Sequence, residues 1–331
     1  MMENKDSKGL ILMKNRTLSL SSKSPMRAGL LPSHIRRAIC LLAVAGTTAC
    51  TPPVMPMTSR LPLKKVERYR GWDFLADKLA ADGIPTPLLT QVFGDPRFPA
   101  REAVPFRLQP QETTDMYQGV VSYKRSKRAA DFIRQHQRTF DRAWKRYQVE
   151  PAVIASILEV ETRLGSYLGR ELVINRIARV ASVSEPVNID WNYRRLSSVD
   201  RTVTRQAVAD RAHYLEKTFY PHAVAFFHMV MRDRIDPFEL QGSVAGAFGM
   251  PQFMPESYMK YAVDGDGNGK ISLFTPADSI LSVAHFLSAN GWKPGASYHE
   301  KRAVIWHYNK SDPYIDSILG LAKKTSERLQ G

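Results

Sequence analysis

The chain has 331 residues, with 47 lysines and arginines against 32 acidic residues for a formal net charge of +15, and it is 44% hydrophobic and 10% aromatic. That length allows one large domain or two small ones with ample material for a core, and the ordinary apolar share excludes global disorder. Its two cysteines are Cys40 and Cys50, both near the N-terminus, which excludes a disulfide framework, a cysteine-ligated metal centre and thiol chemistry in the rest of the chain.

Residues 38–49, AICLLAVAGTTA, are uncharged and mostly apolar; they come after Arg36 and Arg37 and run into Cys50. A basic flank, a short apolar run and a small-residue site read as a secretory signal, since a spanning helix needs about 20 apolar residues. The alternative is a buried helix of a cytoplasmic protein. TTAC resembles the lipobox of bacterial lipoproteins, although Thr47 stands where leucine is usual; the resemblance implies a lipid on Cys50, export, and anchoring at the outer membrane facing the periplasm. Residues 1–49 are then a signal peptide, with Met26 an alternative start, and residues 50–65 an extended tether containing four prolines. The domain proper is expected over 66–331. Positive charge favours polyanions in general, whether nucleic acid, acidic lipid or an anionic cell wall. Export, and basic residues spread through the helices without a recognition motif, argue against nucleic acid.

Within the domain, residues 72–81 read as a helix, and prolines at 85, 87, 96, 99 and 105 divide the next stretch into short pieces. Residues 126–147 carry one long amphipathic pattern, with Ala130, Ile133, Phe140, Ala143 and Trp144 inward under a basic outer face. Pro151 opens another helix at a favoured first-turn position. Residues 172–183 are ambiguous, and 188–198 read as a loop or a short sheet. Helical patterning returns over 202–232, and after it come a glycine-rich segment at 243–249, an aspartate-glycine loop near 264–269 and a helix over 278–290. No repeat and no strand–helix alternation is present, so the fold class is mainly α.

In PAVIASILEVETRLG the apolar residues Ile154, Ile157 and Leu158 stand at i, i+3 and i+4, and the next member of the stripe is Glu161. Glu161 lies about 20° from Ile154 around the helix, so a carboxylate occupies a core position, whereas Glu159 is roughly 160° away from it and reads as a solvent-side charge. Burial disfavours a charged carboxylate, and a glutamate kept protonated is what a general acid requires. The structural alternative is an ion pair with Arg163 or with an arginine of another helix. Gly165 and Gly169, just beyond, permit close approach of a backbone or a ligand.

The strings VETRLG and SVAGAFGMPQFMPESYMKYAVDGDGNGKISLFTPADSI resemble the lytic murein transglycosylase B family of bacterial cell-wall enzymes, over roughly Tyr117 to Leu319. The resemblance implies a goose-type lysozyme-like helical domain that acts on peptidoglycan, with Glu161 as the single catalytic acid/base. It implies that Ser243 and Gln252 line the sugar groove, as do Tyr308 and Asn309 of HYNKSDPYI. Read alone, Ser243 could serve a tight helix crossing, Gln252 could be a satisfied amide and Tyr308 a core residue. Met250 and Pro251 stand where some members have tyrosine and glycine, so an aromatic sugar contact is absent or supplied elsewhere. No residue between 169 and 218 is matched to the family.

In DGDGNGKIS, Asp264, Asp266 and Asn268 take loop positions 1, 3 and 5, Gly269 makes the turn and Lys270 offers a backbone carbonyl, an EF-hand-like arrangement for Ca²⁺. Thr275 replaces the usual closing glutamate. The resembling family closes a longer loop with an aspartate, which falls on Asp278. The alternative is a solvated turn. His222, His228 and His285 lack zinc spacing.

The implied reaction cleaves the β-1,4 bond between N-acetylmuramic acid and N-acetylglucosamine and leaves a 1,6-anhydro end, with no catalytic cofactor. A hydrolysing muramidase would need a second carboxylate, for which Glu185 and Asp190 in the unmatched segment are available. A non-catalytic peptidoglycan-binding lipoprotein is the remaining alternative.

Overall fold

The computed structural model describes residues 68–109 and 117–331; the expected signal peptide, the tether and Cys50 lie outside the described residues. The described part is mainly helical. α1 (Asp73–Ala81) and α2 (Thr86–Phe93) pack through Trp72, Phe93 and Phe98, whose rings lie 5.2–6.0 Å apart. α3 (Tyr123–Gln135) and α4 (Gln137–Tyr147) occupy the stretch expected as one helix. His136, at φ −112° and ψ 26°, breaks it. The break resets the inward stripe to Phe140, Ala143 and Tyr147, which leaves Trp144 exposed rather than buried.

α5 (Pro151–Thr162) starts on an extended Glu150, and Pro151 supplies a first-turn residue whose missing N–H costs nothing there. Residues 152–159 are buried on every side because α3, α4, α10 and α12 pack around the helix. This arrangement corrects the reading of Glu159: it is fully buried, since α3 covers the face that an isolated amphipathic helix would give to water.

β1 (Glu171–Leu172) and β2 (Gln241–Gly242) form a two-stranded antiparallel sheet, with Glu171 opposite Gly242. Between them run α6 (Val173–Ala181), α7 (Pro186–Ser197) and the long α8 (Arg205–Asp233). The segment expected as a loop or sheet is therefore helix α7. Its sequence alternates poorly because its buried face carries amides: Asn188 Oδ1 accepts the amide of Val104 at 2.7 Å, and Asn192 Nδ2 donates to the Val104 carbonyl at 3.0 Å. These contacts strap residues 104–108 over a small apolar cluster of Val183, Ile189, Val208 and Leu215.

The chain ends in α9 (Pro255–Tyr261), α10 (Pro276–Ala289), α11 (Tyr298–Tyr308) and α12 (Asp312–Gln330). α12 lies against both α3 and α5. The last three helices each have a local start signal. Thr275 Oγ1 accepts the Asp278 amide, Ser297 and Glu300 form a reciprocal capping box, and Ser311 Oγ accepts the Tyr314 amide. Among the described residues no helix is long and apolar enough to cross a membrane.

Candidate active site

Glu161 sits in the last turn of α5, where the fully buried stretch gives way to a partly exposed end. The helix stops because Arg163 and Leu164 adopt left-handed φ values of 52° and 58°, a conformation that costs about 1–2 kcal/mol for each such residue. Hydrogen bonds hold the turn in place. Thr162 Oγ1 donates to the Met250 carbonyl at 2.9 Å and accepts the Gly165 amide at 3.0 Å. Gly169, at φ +90°, lies so close to β2 that a Cβ there would stand 2.0 Å from the Gly242 carbonyl oxygen.

Tyr314, fully buried in the first turn of α12, donates its hydroxyl to Glu161 Oε1 at 2.9 Å. Its ring stacks on Tyr308 at 6.3 Å and meets Tyr117 edge-on at 6.2 Å. Burial, reinforced by the Glu161 charge, pushes both the Tyr308 and Tyr314 hydroxyls well above the usual tyrosine range. Both therefore stay protonated donors. Sequence reasoning misses Tyr314, although it lies in the string HYNKSDPYI; the available signal is a second tyrosine at the start of a helix with a serine cap.

The pocket at Glu161 is lined by Gln252, Phe253, Met254, Ser257, Phe286, Tyr308 and Asn309. The structure thus brings together Glu161, Gln252, Tyr308 and Asn309. Gln252 is held at φ 51°, with Nε2 donating to the carbonyls of Gly249 at 3.0 Å and Leu168 at 3.2 Å. The Tyr308 hydroxyl donates to the Pro251 carbonyl. Asn309 is buried, and its Oδ1 has no hydrogen-bond partner among the described residues. Ser243 is not among the pocket-lining residues; it is buried, and its Oγ accepts the Ala247 amide at 3.1 Å, which closes the glycine-rich loop. Met250 is buried against Gly165, so the position where some family members carry tyrosine is a core position in this chain.

No other carboxylate lines this pocket among the described residues. Asp190 pairs with Arg205 at 2.7 Å and Glu185 with Arg101 at 2.9 Å. His222 lies 3.3 Å from Glu256, and His285 Nδ1 lies 3.0 Å from the Tyr261 carbonyl.

In the acidic loop, carboxylate oxygens of Asp264, Asp266 and Asp278 lie within 4.8 Å of one another. Asp264 accepts the amides of Gly267 and Gly269, each at 2.7 Å, and that of Asn268 at 3.2 Å. The Gly269 amide above all holds the Asp264 carboxyl below the usual range. Asp278 is fully buried and accepts the amides of Gly265 at 2.8 Å and Ser272 at 2.6 Å, which places it at the closing end of the loop. Asn268 Oδ1 accepts the Lys270 amide at 2.8 Å. Converging hard oxygen donors of net negative charge suit a calcium-sized cation.

The site is thus a pocket in a mainly helical fold, with Glu161 the one carboxylate that lines it among the described residues. The chain belongs to the Transglycosylase SLT domain family, whose model matches residues 70–303. It is 36% identical over 164 residues to membrane-bound lytic murein transglycosylase B of Escherichia coli K12, which covers 50% of this chain and 38% of that protein, so well under two thirds of the relative is spanned. Among solved structures, it is similar to E. coli lytic transglycosylase Slt35 in complex with calcium, at 21% identity and a TM-score of 0.56, covering 79% of this chain and 94% of that one. It is also similar to SltB3 of Pseudomonas aeruginosa in complex with NAG-anhNAM-pentapeptide, at 19% identity and a TM-score of 0.57, covering 80% of each chain. These structural likenesses establish the shared fold.

Proposed function

We propose that the protein is a peptidoglycan lytic transglycosylase built on a goose-type lysozyme-like domain, with Glu161 as its single acid/base. The observation that carries this reading is one carboxylate in the pocket lining, held by the Tyr314 hydroxyl, in a pocket that no second carboxylate lines among the described residues. Protonated Glu161 gives its proton to the glycosidic oxygen between N-acetylmuramic acid and N-acetylglucosamine, and the C1–O bond breaks. The resulting carboxylate then takes the proton of the C6 hydroxyl of the same muramoyl residue as that oxygen bonds to C1. The ring closes as a 1,6-anhydro sugar, and no water is consumed. A hydrolase of either stereochemical outcome would require a second carboxylate at a defined separation. The SltB3 complex carries an anhydro-sugar fragment, in keeping with this product.

In this reading Gln252, Tyr308 and Asn309 contact the sugars, and the buried Asn309 Oδ1 accepts a hydroxyl or amide hydrogen from substrate. Ser243 supports the groove from the glycine-rich loop. Asp264, Asp266, Asn268, the Lys270 carbonyl and Asp278 hold a structural Ca²⁺, as the calcium complex of Slt35 encourages. The substrate partner is the glycan strand, and a lipid on Cys50 keeps the enzyme at the outer membrane, facing the wall. The relative in E. coli is itself named membrane-bound.

Purified peptidoglycan digested by the protein and by Glu161→Gln, with fragment ends identified by mass spectrometry, tests this function. Anhydro ends that disappear in the variant are expected. Reducing ends would make the protein a hydrolase, and no release by either form would make it a binding protein.

A further inference from the structure

Glu159, two residues before Glu161, is a fully buried carboxylate that the reaction does not use. Arg128 of α3 grips it with one guanidinium edge, with Nε 3.3 Å from Oε2 and Nη2 bonded to Oε1, and Arg125 places Nε 3.9 Å from Oε1. Arg125 and Arg128 stand three residues apart and so share one face of α3. The cluster holds two cations and one anion. Burial pulls the Arg125 guanidinium down and the Glu159 charge pulls it back up, with Arg128 and Arg163 adding repulsion. A buried carboxylate held this way is a costly device, and hydrophobic residues of similar volume could replace such a pair without loss of stability.

Resting on the reading of Glu161 as acid/base, we propose that Glu159 with Arg125 and Arg128 is a positioning and field-setting cluster for Glu161, fixing α5 against α3 and setting the net charge behind the catalytic carboxylate. A geometric estimate and one contact support it. Ideal helix geometry spaces two carboxylates two residues apart by about 10 Å on opposite sides of the helix, close enough for a unit charge to be felt through protein of low polarity. The chain just before α3 also carries Tyr117, which packs on Tyr314, the donor to Glu161. Anchoring α3 on α5 therefore holds the catalytic hydrogen bond as well.

Tyr314 from α12 and Tyr308 from α11 face Glu161, and Arg163 at the end of its own helix faces Arg125. Of the remaining helices on α5, α4 sends Arg142 to the Gly265 carbonyl, and α10 sends His285 to Tyr261 and Asp278 to the acidic loop. Lys301 of α11 pairs with Glu150 at the opposite end of α5. The cluster is thus the charged neighbour whose balance can be altered without touching the pocket.

Glu159→Gln leaves both arginines uncompensated and favours ionised Glu161, so the alkaline limb of the rate profile should move to lower pH by about 0.5–1 unit. Arg125→Gln should move it the other way. The double variant Glu159→Gln/Arg125→Gln restores the original net charge, and its limb should return toward wild type while KM changes little. The assay is the initial rate of soluble glycan release by the full protein between about pH 4 and 9, at saturating calcium. If both single variants lose activity with no movement of the limb, or if the double variant is only worse, the cluster is merely structural and the inference fails. Should Glu159→Gln not fold, Arg125→Gln and the double variant decide by the same signs. Activity retained in Glu161→Gln would overturn the acid/base reading itself, a separate failure.

Discussion

Tyr314→Phe isolates the contact that the structure places on Glu161, the carboxylate proposed to react. The substitution removes one oxygen and keeps the ring, so the contacts with Tyr117 and Tyr308 survive. What disappears is a 2.9 Å hydrogen bond to Glu161 Oε1 from a fully buried donor. A hydrogen bond to a charged group contributes about 1.5–3 kcal/mol, and each 1.36 kcal/mol is tenfold in rate. A loss of about 10- to 150-fold in kcat/KM is therefore expected if the bond is fully expressed in the transition state. The donor favours the ionised carboxylate, so its removal should also move the alkaline limb of the rate profile to higher pH. Glycan release read by mass spectrometry supplies the rate, and thermal unfolding of the same preparation supplies the control. Activity within about threefold of wild type would refute the assignment. So would a loss of rate matched by a large fall in Tm, since the effect would then be on folding.

Gly169→Ala should cost about 2–5 kcal/mol, from a strained φ and a Cβ driven into the Gly242 carbonyl; a urea midpoint equal to wild type would deny the close approach. Calcium at about 100 times its Kd should add about 2.7 kcal/mol of stability, weakened in Asp266→Asn, and a Tm indifferent to both calcium and chelator would make the acidic loop a solvated turn. Asp73 is pushed up by burial, but the amides of Arg68 and Tyr69 and the Arg68 guanidinium outweigh this and hold its carboxyl below the usual range. Its stabilisation is present above the ordinary aspartate pKa and is lost as pH falls through the lowered folded value. Asp73→Asn should therefore show a shallower loss of stability in acid than wild type.

The helical class and most helix starts were legible because they rest on local chemistry, such as Pro151 at a first turn and the caps before α10 to α12. Glu161 stands out in the sequence because a carboxylate interrupts an apolar stripe, and the structure puts it in the pocket lining. Glu159 was misread because a helical wheel identifies faces and cannot say which helix covers them; α3 lies more than twenty residues earlier in the chain. α7 was misread because its buried side is polar, and its amides are satisfied by a strap more than eighty residues away in sequence. Trp144 was misplaced because periodicity was carried through His136, where the helix axis restarts.

The hydrogen bonds around the pocket explain why these distant segments must act together. Thr162 at the end of α5 binds the Met250 carbonyl, Gln252 binds back to Leu168, Tyr308 binds Pro251, and Tyr314 returns to Glu161. The ends of α5 and α11, the start of α12 and the 249–254 loop thus close a ring in which each member fixes the next. On the proposed reaction, a carboxylate that acts first as acid and then as base on the same sugar has to keep one position while its charge changes. A ring anchored on buried tyrosines and backbone carbonyls meets that need better than surface side chains would, because none of those partners changes its own protonation as the proton moves.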